Sequence, residues 1–147
     1  RPIVTDSVRV DFYVLSDSDA RASQHIACRI TEKAWHSDHR VFVRTDTPEA
    51  SKRINDLLWT FRQNSFVPHE LWRPDVDERT PVLIGHDGAN STRRDVLVNL
   101  SADIPDDYSR FSRVVELIAA DDDARRRGRS RWRKYKEHGC EIQSHNV

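Results

Sequence analysis

Cysteine occurs only at Cys28 and Cys140, too few for the disulfide framework of a small secreted domain, so a reducing compartment is expected. Long apolar runs are missing, which argues against a membrane span or a secretory leader and for a soluble, cytoplasmic protein. Methionine is absent altogether, and nothing physical follows from that. Glycine is scarce, with four residues in 147, and none stands where a nucleotide fold would need it. The turn after the first predicted strand is Ser16-Asp17-Ser18-Asp19, whose carboxylates would repel a pyrophosphate. The loop Gly85 to Thr92 has two glycines but lacks the lysine and spacing of a P-loop, and reads as a polar connection.

Catalytic and metal constellations are equally thin. The seven histidines are scattered, and His36 and His39 have no cysteine near them, so surface histidines are expected and no metal site. Cys28 sits beside Ile26, Ala27 and Ile30 in a predicted helix, which favours an inert core thiol over a nucleophile. No nucleophile elbow or metal-carboxylate motif occurs, so neither catalysis nor a cofactor is expected.

The length suits one domain. Residues 1–9 read as a flexible lead-in and residues 10–147 as a single α/β unit. Val8 to Leu15 alternates as a strand, and Ser16 to Asp19 caps a helix running to about Trp35 with Ile26, Ala27, Ile30 and Ala34 at helical spacing. Val41 to Val43 is a short buried strand. Thr47-Pro48-Glu49 opens a second helix carrying Ala50, Ile54, Leu57 and Leu58 inward. An irregular stretch reaches Thr80, followed by strands at Val82 to Gly85 and Asp95 to Leu100. A short helix from Asp106 through Phe111, a strand from Val114 to Ala119 and a basic helix opened by Asp121 to Asp123 complete the pattern. This order predicts a Rossmann-like three-layer sandwich with a mostly parallel central sheet.

Net charge hides the informative feature. The 24 basic and 24 acidic residues cancel, yet Arg125 to Lys136 holds eight cations and no acid, leaving an acidic body. On a helix, Arg125, Arg129, Trp132, Arg133 and Lys136 share a face of about 100°. Arginine forks beside an indole suit a short anionic peptide; a phosphate backbone with stacked bases is the competing ligand, and a solvated helix face is the plain alternative. Ala124, Gly128, Arg131 and Tyr135 form a neighbouring stripe whose small residues would let the helix approach the sheet. A second cluster, Leu58, Trp59, Phe61, Phe66, Val67, Leu71 and Trp72, reads as core or as a partner-binding patch.

Several segments together resemble the chi subunits of bacterial DNA polymerase III. They are Phe12-Tyr13-Val14-Leu15, Leu57-Leu58-Trp59, Ser65-Phe66-Val67-Pro68-His69, Pro81-Val82, Arg93 to Leu100, and Arg131-Trp132-Arg133-Lys134-Tyr135 with Gly139. The likeness runs from about residue 10 to about residue 140. It implies a non-catalytic clamp-loader subunit that pairs with the psi subunit and docks the acidic C-terminal tail of single-stranded DNA-binding protein, so that contact with single-stranded DNA is indirect. It further implies that Arg125, Arg129, Trp132 and Arg133, with Ile118 as an apolar contact, hold that tail, the Arg129 guanidinium suiting its terminal carboxylate. Trp59 and Phe66 match positions that meet psi, or a helicase competing for the same surface. Trp132 stands where the family commonly has tyrosine, and Arg125 where it has lysine. Arg126, Arg127 and Arg131 exceed what such a pocket needs, which keeps direct nucleic-acid binding as the alternative.

Overall fold

Every strand among the described residues joins one parallel sheet. A computed structural model describes residues 7–86 and 94–147. The elements are β1 (Arg9–Val14), α1 (Ala20–His36), β2 (Val41–Arg44), α2 (Pro48–Thr60), β3 (His69–Leu71), β4 (Val82–Gly85), β5 (Val96–Asn99), a 3₁₀ turn (Tyr108–Arg110), β6 (Arg113–Ile118), α3 (Asp122–Glu137) and β7 (Glu141–Asn146). The strands stand in the order β3-β4-β2-β5-β6-β1-β7, all parallel.

Local chemistry sets the helix starts. Asp19 and Thr47 accept hydrogen bonds from the backbone N–H of Arg21 and Ala50, and Pro48 fills the first helical position of α2. The period-two alternation of the strands then sorts the core onto two faces. Val41, Val43, Val82, Ile84, Val96, Val98 and Val115 pack under α1 and α2 with Ala27, Cys28, Ile54 and Leu58. Val10, Phe12, Phe42, Leu83, Leu97, Val114 and Ile118 face Tyr135 of α3, together with Val76 and Phe111. Two helices cover one side and one helix the other, the three-layer sandwich expected.

Three expectations need correction. The sheet, parallel as expected, has seven strands where five were expected. β3 comes out of the stretch read as irregular, because three residues are too few to show a period; β7 is a polar edge strand, EIQSHN, whose order comes from its ladder with β1 and not from burial. The helix expected from Asp106 contracts to the 3₁₀ turn. His69 is buried, with its ring nitrogens at 2.6 Å and 2.8 Å from the carbonyls of Val67 and Asn55, so it is not the surface histidine expected. Cys28 is a core thiol, pushed up to about 12 by burial, as its helix position implied.

Residues 1–6 of the lead-in lie outside the described residues, and Arg9 already belongs to β1. The greater part of the loop after Gly85, together with Arg93, lies outside them as well. Arg94 is buried, donates to the carbonyls of Thr80, Pro81 and Glu78, and so ties the segment before β4 to the start of β5; burial pushes its guanidinium down to about 10.

Candidate peptide-binding face of the basic helix

Helix α3 begins with a cap that matches its dipole. Asp121 accepts from the Ala124 N–H, Asp122 and Asp123 occupy the first turn, and Lys134 and Lys136 lie in the last. Its buried stripe is Gly128, Arg131 and Tyr135. At Gly128 the helix crosses β6 so closely that an added Cβ would stand 2.5 Å from the Ile118 Cδ1 atom, which is the packing reason for a glycine inside a helix.

Beneath this stripe lies Glu116, fully buried. Arg131 Nε donates to its Oε1 at 3.0 Å, while Tyr135 Oη and Asn99 Nδ2 donate to Oε2 at 2.6 Å and 2.9 Å. Arg131 Nη1 also donates to the Ala102 carbonyl. Burial pushes the Glu116 carboxyl above its ordinary range against these donors, and raises the Tyr135 phenol too. The network clamps α3 onto β5 and β6. Arg131 is therefore no surplus surface cation, as its place in a run of arginines had suggested.

The remaining cations divide further. Arg126 and Arg127 both grip Asp123 on the helix itself. Arg125, Arg129, Arg133, Lys134 and Lys136 are exposed and form no ion pair among the described residues. Trp132 is half-buried, its ring tilted against Phe12 at 5.0 Å between centroids. Ile118 is 9% exposed and lies under Gly128. Hence Arg125, Arg129, Trp132 and Arg133 share one accessible arc of α3, whose Trp132 edge meets Phe12 of β1, and Ile118 lies under Gly128 as an apolar support rather than an open surface. Unpaired guanidinium groups beside an anchored indole can clamp a carboxylate and seat an aromatic ring.

The clefts along the other flank have a different character. One of 310 Å³ runs between α3 and the segment after β5, lined by Asp46, Ser101, Asp121, Arg127 and Arg131 among others. It stands at the carboxyl ends of the strands, where doubly wound folds hold ligands, but its arginines are already engaged with acids of this chain.

At the opposite edge of the sheet the apolar cluster divides. Leu58, Phe61 and Val67 are core, Trp72 is half-buried against the other layer, and Trp59, Phe66 and Leu71 are exposed. Trp59 and Phe66 stack at 5.7 Å with 19° between planes, although each is more than half exposed. The Trp59 ring also meets His69 at 4.5 Å, so the buried imidazole is the support under the stack. Helical phase carried a signal for this: Ile54, Leu58 and Phe61 fall at i, i+4 and i+7, which leaves Trp59 about 100° off the core stripe. Leu71 had no such marker.

The family model for the DNA polymerase III chi subunit, HolC, matches residues 8–143. The chain belongs to the DNA polymerase III chi subunit family. DNA polymerase III subunit chi of Pseudomonas aeruginosa is 34% identical over 139 residues, spanning 95% of this chain and 96% of that one. The Escherichia coli K12 subunit is 28% identical over 137 residues, covering 89% and 92%. Among solved structures, T4 UvsW superposes with a TM-score of 0.63 at 11% identity, over 96% of this chain and 41% of that one. Yeast Dbp5 bound to RNA and ADP BeF3 does so with 0.60, also at 11%, over 97% and 42%. This chain spans under half of those two proteins, and at such identity they establish the fold alone. In this α/β sheet the first turn carries Asp17, which accepts from the Asp19 N–H, and Asp19, which caps α1.

Proposed function

We propose that this chi-family chain is a non-catalytic accessory subunit of the DNA polymerase III clamp loader, working by adhesion at two separated surfaces. The α3 flank receives the acidic C-terminal tail of single-stranded DNA-binding protein, with Arg125, Arg129 and Arg133 facing its carboxylates and Trp132 its terminal phenylalanine. The observation that carries this reading is the set of arginines, without an ion pair among the described residues, around an indole already fixed by Phe12. The Trp59/Phe66 stack receives the psi subunit, or a helicase that competes for it. Together the two contacts tether the polymerase to protein-coated single strands in the cytoplasm, at replication forks. Each tail contact is modest, and many tails on one coated strand supply retention by avidity.

Fluorescence anisotropy of a labelled acidic peptide ending in Asp-Phe tests it. The wild type binds and Arg129→Ala loses binding about tenfold or more. A single-stranded oligonucleotide titrated in parallel addresses the second reading, direct nucleic-acid binding, which the exposed Lys134 and Lys136 favour. Oligonucleotide binding without peptide binding would replace the first reading by the second.

A further inference from the structure

The two edges of the sheet are built differently. β3 closes one side with three residues, the short strand by which proteins commonly blunt an edge. β7 closes the other with six residues and carries no proline, lysine or bulge; no strand among the described residues pairs with its outer side.

Its backbone alternates in a known sense. Glu141 N–H donates to the Val8 carbonyl and Val147 N–H to that of Val14, in a parallel register that sets Arg9 against Glu141. With a period of two, Glu141, Gln143, His145 and Val147 turn their peptide groups toward β1. Ile142, Ser144 and Asn146 turn theirs to the open edge, three N–H donors and three carbonyl acceptors. The side chains follow the same alternation. Gln143 accepts from Arg9, and His145 stacks on Tyr13 and reaches Asp11, all on the α1 face. Ile142 instead packs in the cluster that holds Trp132 and Phe12, under α3.

An added strand would lie about 4.8 Å beyond β7. It would run on the Trp132 side of α3, whose neighbouring cations Arg125, Arg129 and Lys136 have no carboxylate partner among the described residues. The α3-side residues of β7, Ile142, Ser144 and Asn146, contribute no charge of either sign. We propose that an extended acidic peptide segment, just upstream of the carboxylate held by α3, adds to β7 as an eighth strand. Main-chain bonds to Ile142, Ser144 and Asn146 fix its register, and alternate acidic side chains point up to the α3 cations. This rests on the reading of α3 as a peptide receptor and extends it from a terminal pocket to a strand-addition site.

The test compares an acidic peptide of about ten residues, enough to span β7, with one truncated to its last ~4 residues. A third peptide of full length is N-methylated at alternate amides. Each is titrated against the wild type, Ser144→Pro and Arg129→Ala, and amide exchange is followed on the wild type. Proline at Ser144 removes an outward donor while leaving the ladder to β1 intact, a substitution that edge strands tolerate. The expected result is that the long peptide binds about tenfold tighter than the short one, the worth of one or two hydrogen bonds. That gain disappears on N-methylation or in Ser144→Pro, and Ile142, Ser144 and Asn146 exchange slowly only with the long peptide. If all three peptides bind wild type and Ser144→Pro alike but lose Arg129→Ala, the strand is refuted and the receptor reading stands. If no peptide binds the wild type, both fall. A concentration-dependent dimer that protects the same three amides without peptide would assign the edge to a second copy and overturn the proposal.

Discussion

Arg131 and Glu116 lie fifteen residues apart in sequence, and their side chains meet at 3.0 Å under α3, where Glu116 is fully buried and Arg131 nearly so. The basic helix is thus held by one of its own arginines, turned inward, while Arg129 and Arg133 form no ion pair among the described residues. Removing one partner from a buried pair strands the other charge, a cost of about 3–5 kcal/mol. Arg131→Leu is expected to destabilise the fold on that scale, whereas Arg129→Ala, two residues away and exposed, should change stability by less than about 0.5 kcal/mol. Urea unfolding of both variants separates a clamp from a free cation.

Gly128→Ala removes the glycine penalty of about 1 kcal/mol but sets a methyl group against the Ile118 Cδ1 and Cγ1 atoms, at 2.5 Å and 2.9 Å. Ile118 is confined by the core, so overpacking, commonly about 1–3 kcal/mol, outweighs the gain. A net loss of roughly 1 kcal/mol is expected in denaturant melts. The double variant Gly128→Ala/Ile118→Val, which deletes the nearer atom, should recover part of it.

How far the sequence carried depended on whether a residue's role is local. Caps at Asp19, Thr47 and Asp121 were legible because a cap needs only its own next few residues. Strands β1, β2, β4, β5 and β6 were legible because burial imposes an apolar pattern. β7 had no such pattern to show: its side chains are mostly exposed and its order is a backbone ladder. Helical phase set Arg131 on the stripe of Gly128 and Tyr135, but the carboxylate that claims it comes from β6 and left no local sign. The aromatic cluster could be located but not divided, since Phe66 and Val67 differ in exposure through the path of the chain after α2 and not through composition.

Asp11 supplies a pH signature. It is buried on β1, with Arg113 Nε at 2.7 Å, His145 Nε2 at 2.9 Å and Arg9 Nε at 3.1 Å. Burial alone would raise its carboxyl; the hydrogen bonds from His145 and Arg113, with the charges of Arg113 and Arg9, outweigh that and hold it below the ordinary range. A carboxylate whose folded pKa is depressed stabilises the protein above its unfolded pKa, near 3.9, and the contribution is lost as pH falls through the folded value. Asp11→Asn should therefore cost about 2 kcal/mol at pH 7, below the range for fully buried pairs because Arg113 and Arg9 reach solvent. The gap to wild type should hold from about pH 7 to about pH 5 and narrow below about pH 4. Unfolding curves across that range read it directly.

The two surfaces should answer differently to salt. Contacts of Arg125, Arg129 and Arg133 with an acidic peptide would be exposed charge pairs, which ions screen over about 8–10 Å at physiological strength. A partner on Trp59 and Phe66 buries two rings that are more than half exposed in the free chain, and apolar burial is little affected by modest salt. Raising salt from about 0.05 M to about 0.5 M should weaken the peptide several-fold and leave the aromatic contact within about twofold. Trp59→Ala should abolish the second contact with little change in the first. Because α3 and the Trp59 stack stand at opposite sides of the sheet, the two losses should add in a double variant Arg129→Ala/Trp59→Ala. Isothermal titration of each ligand at both salt concentrations checks it, and equal salt slopes would mean that charge governs the aromatic surface as well.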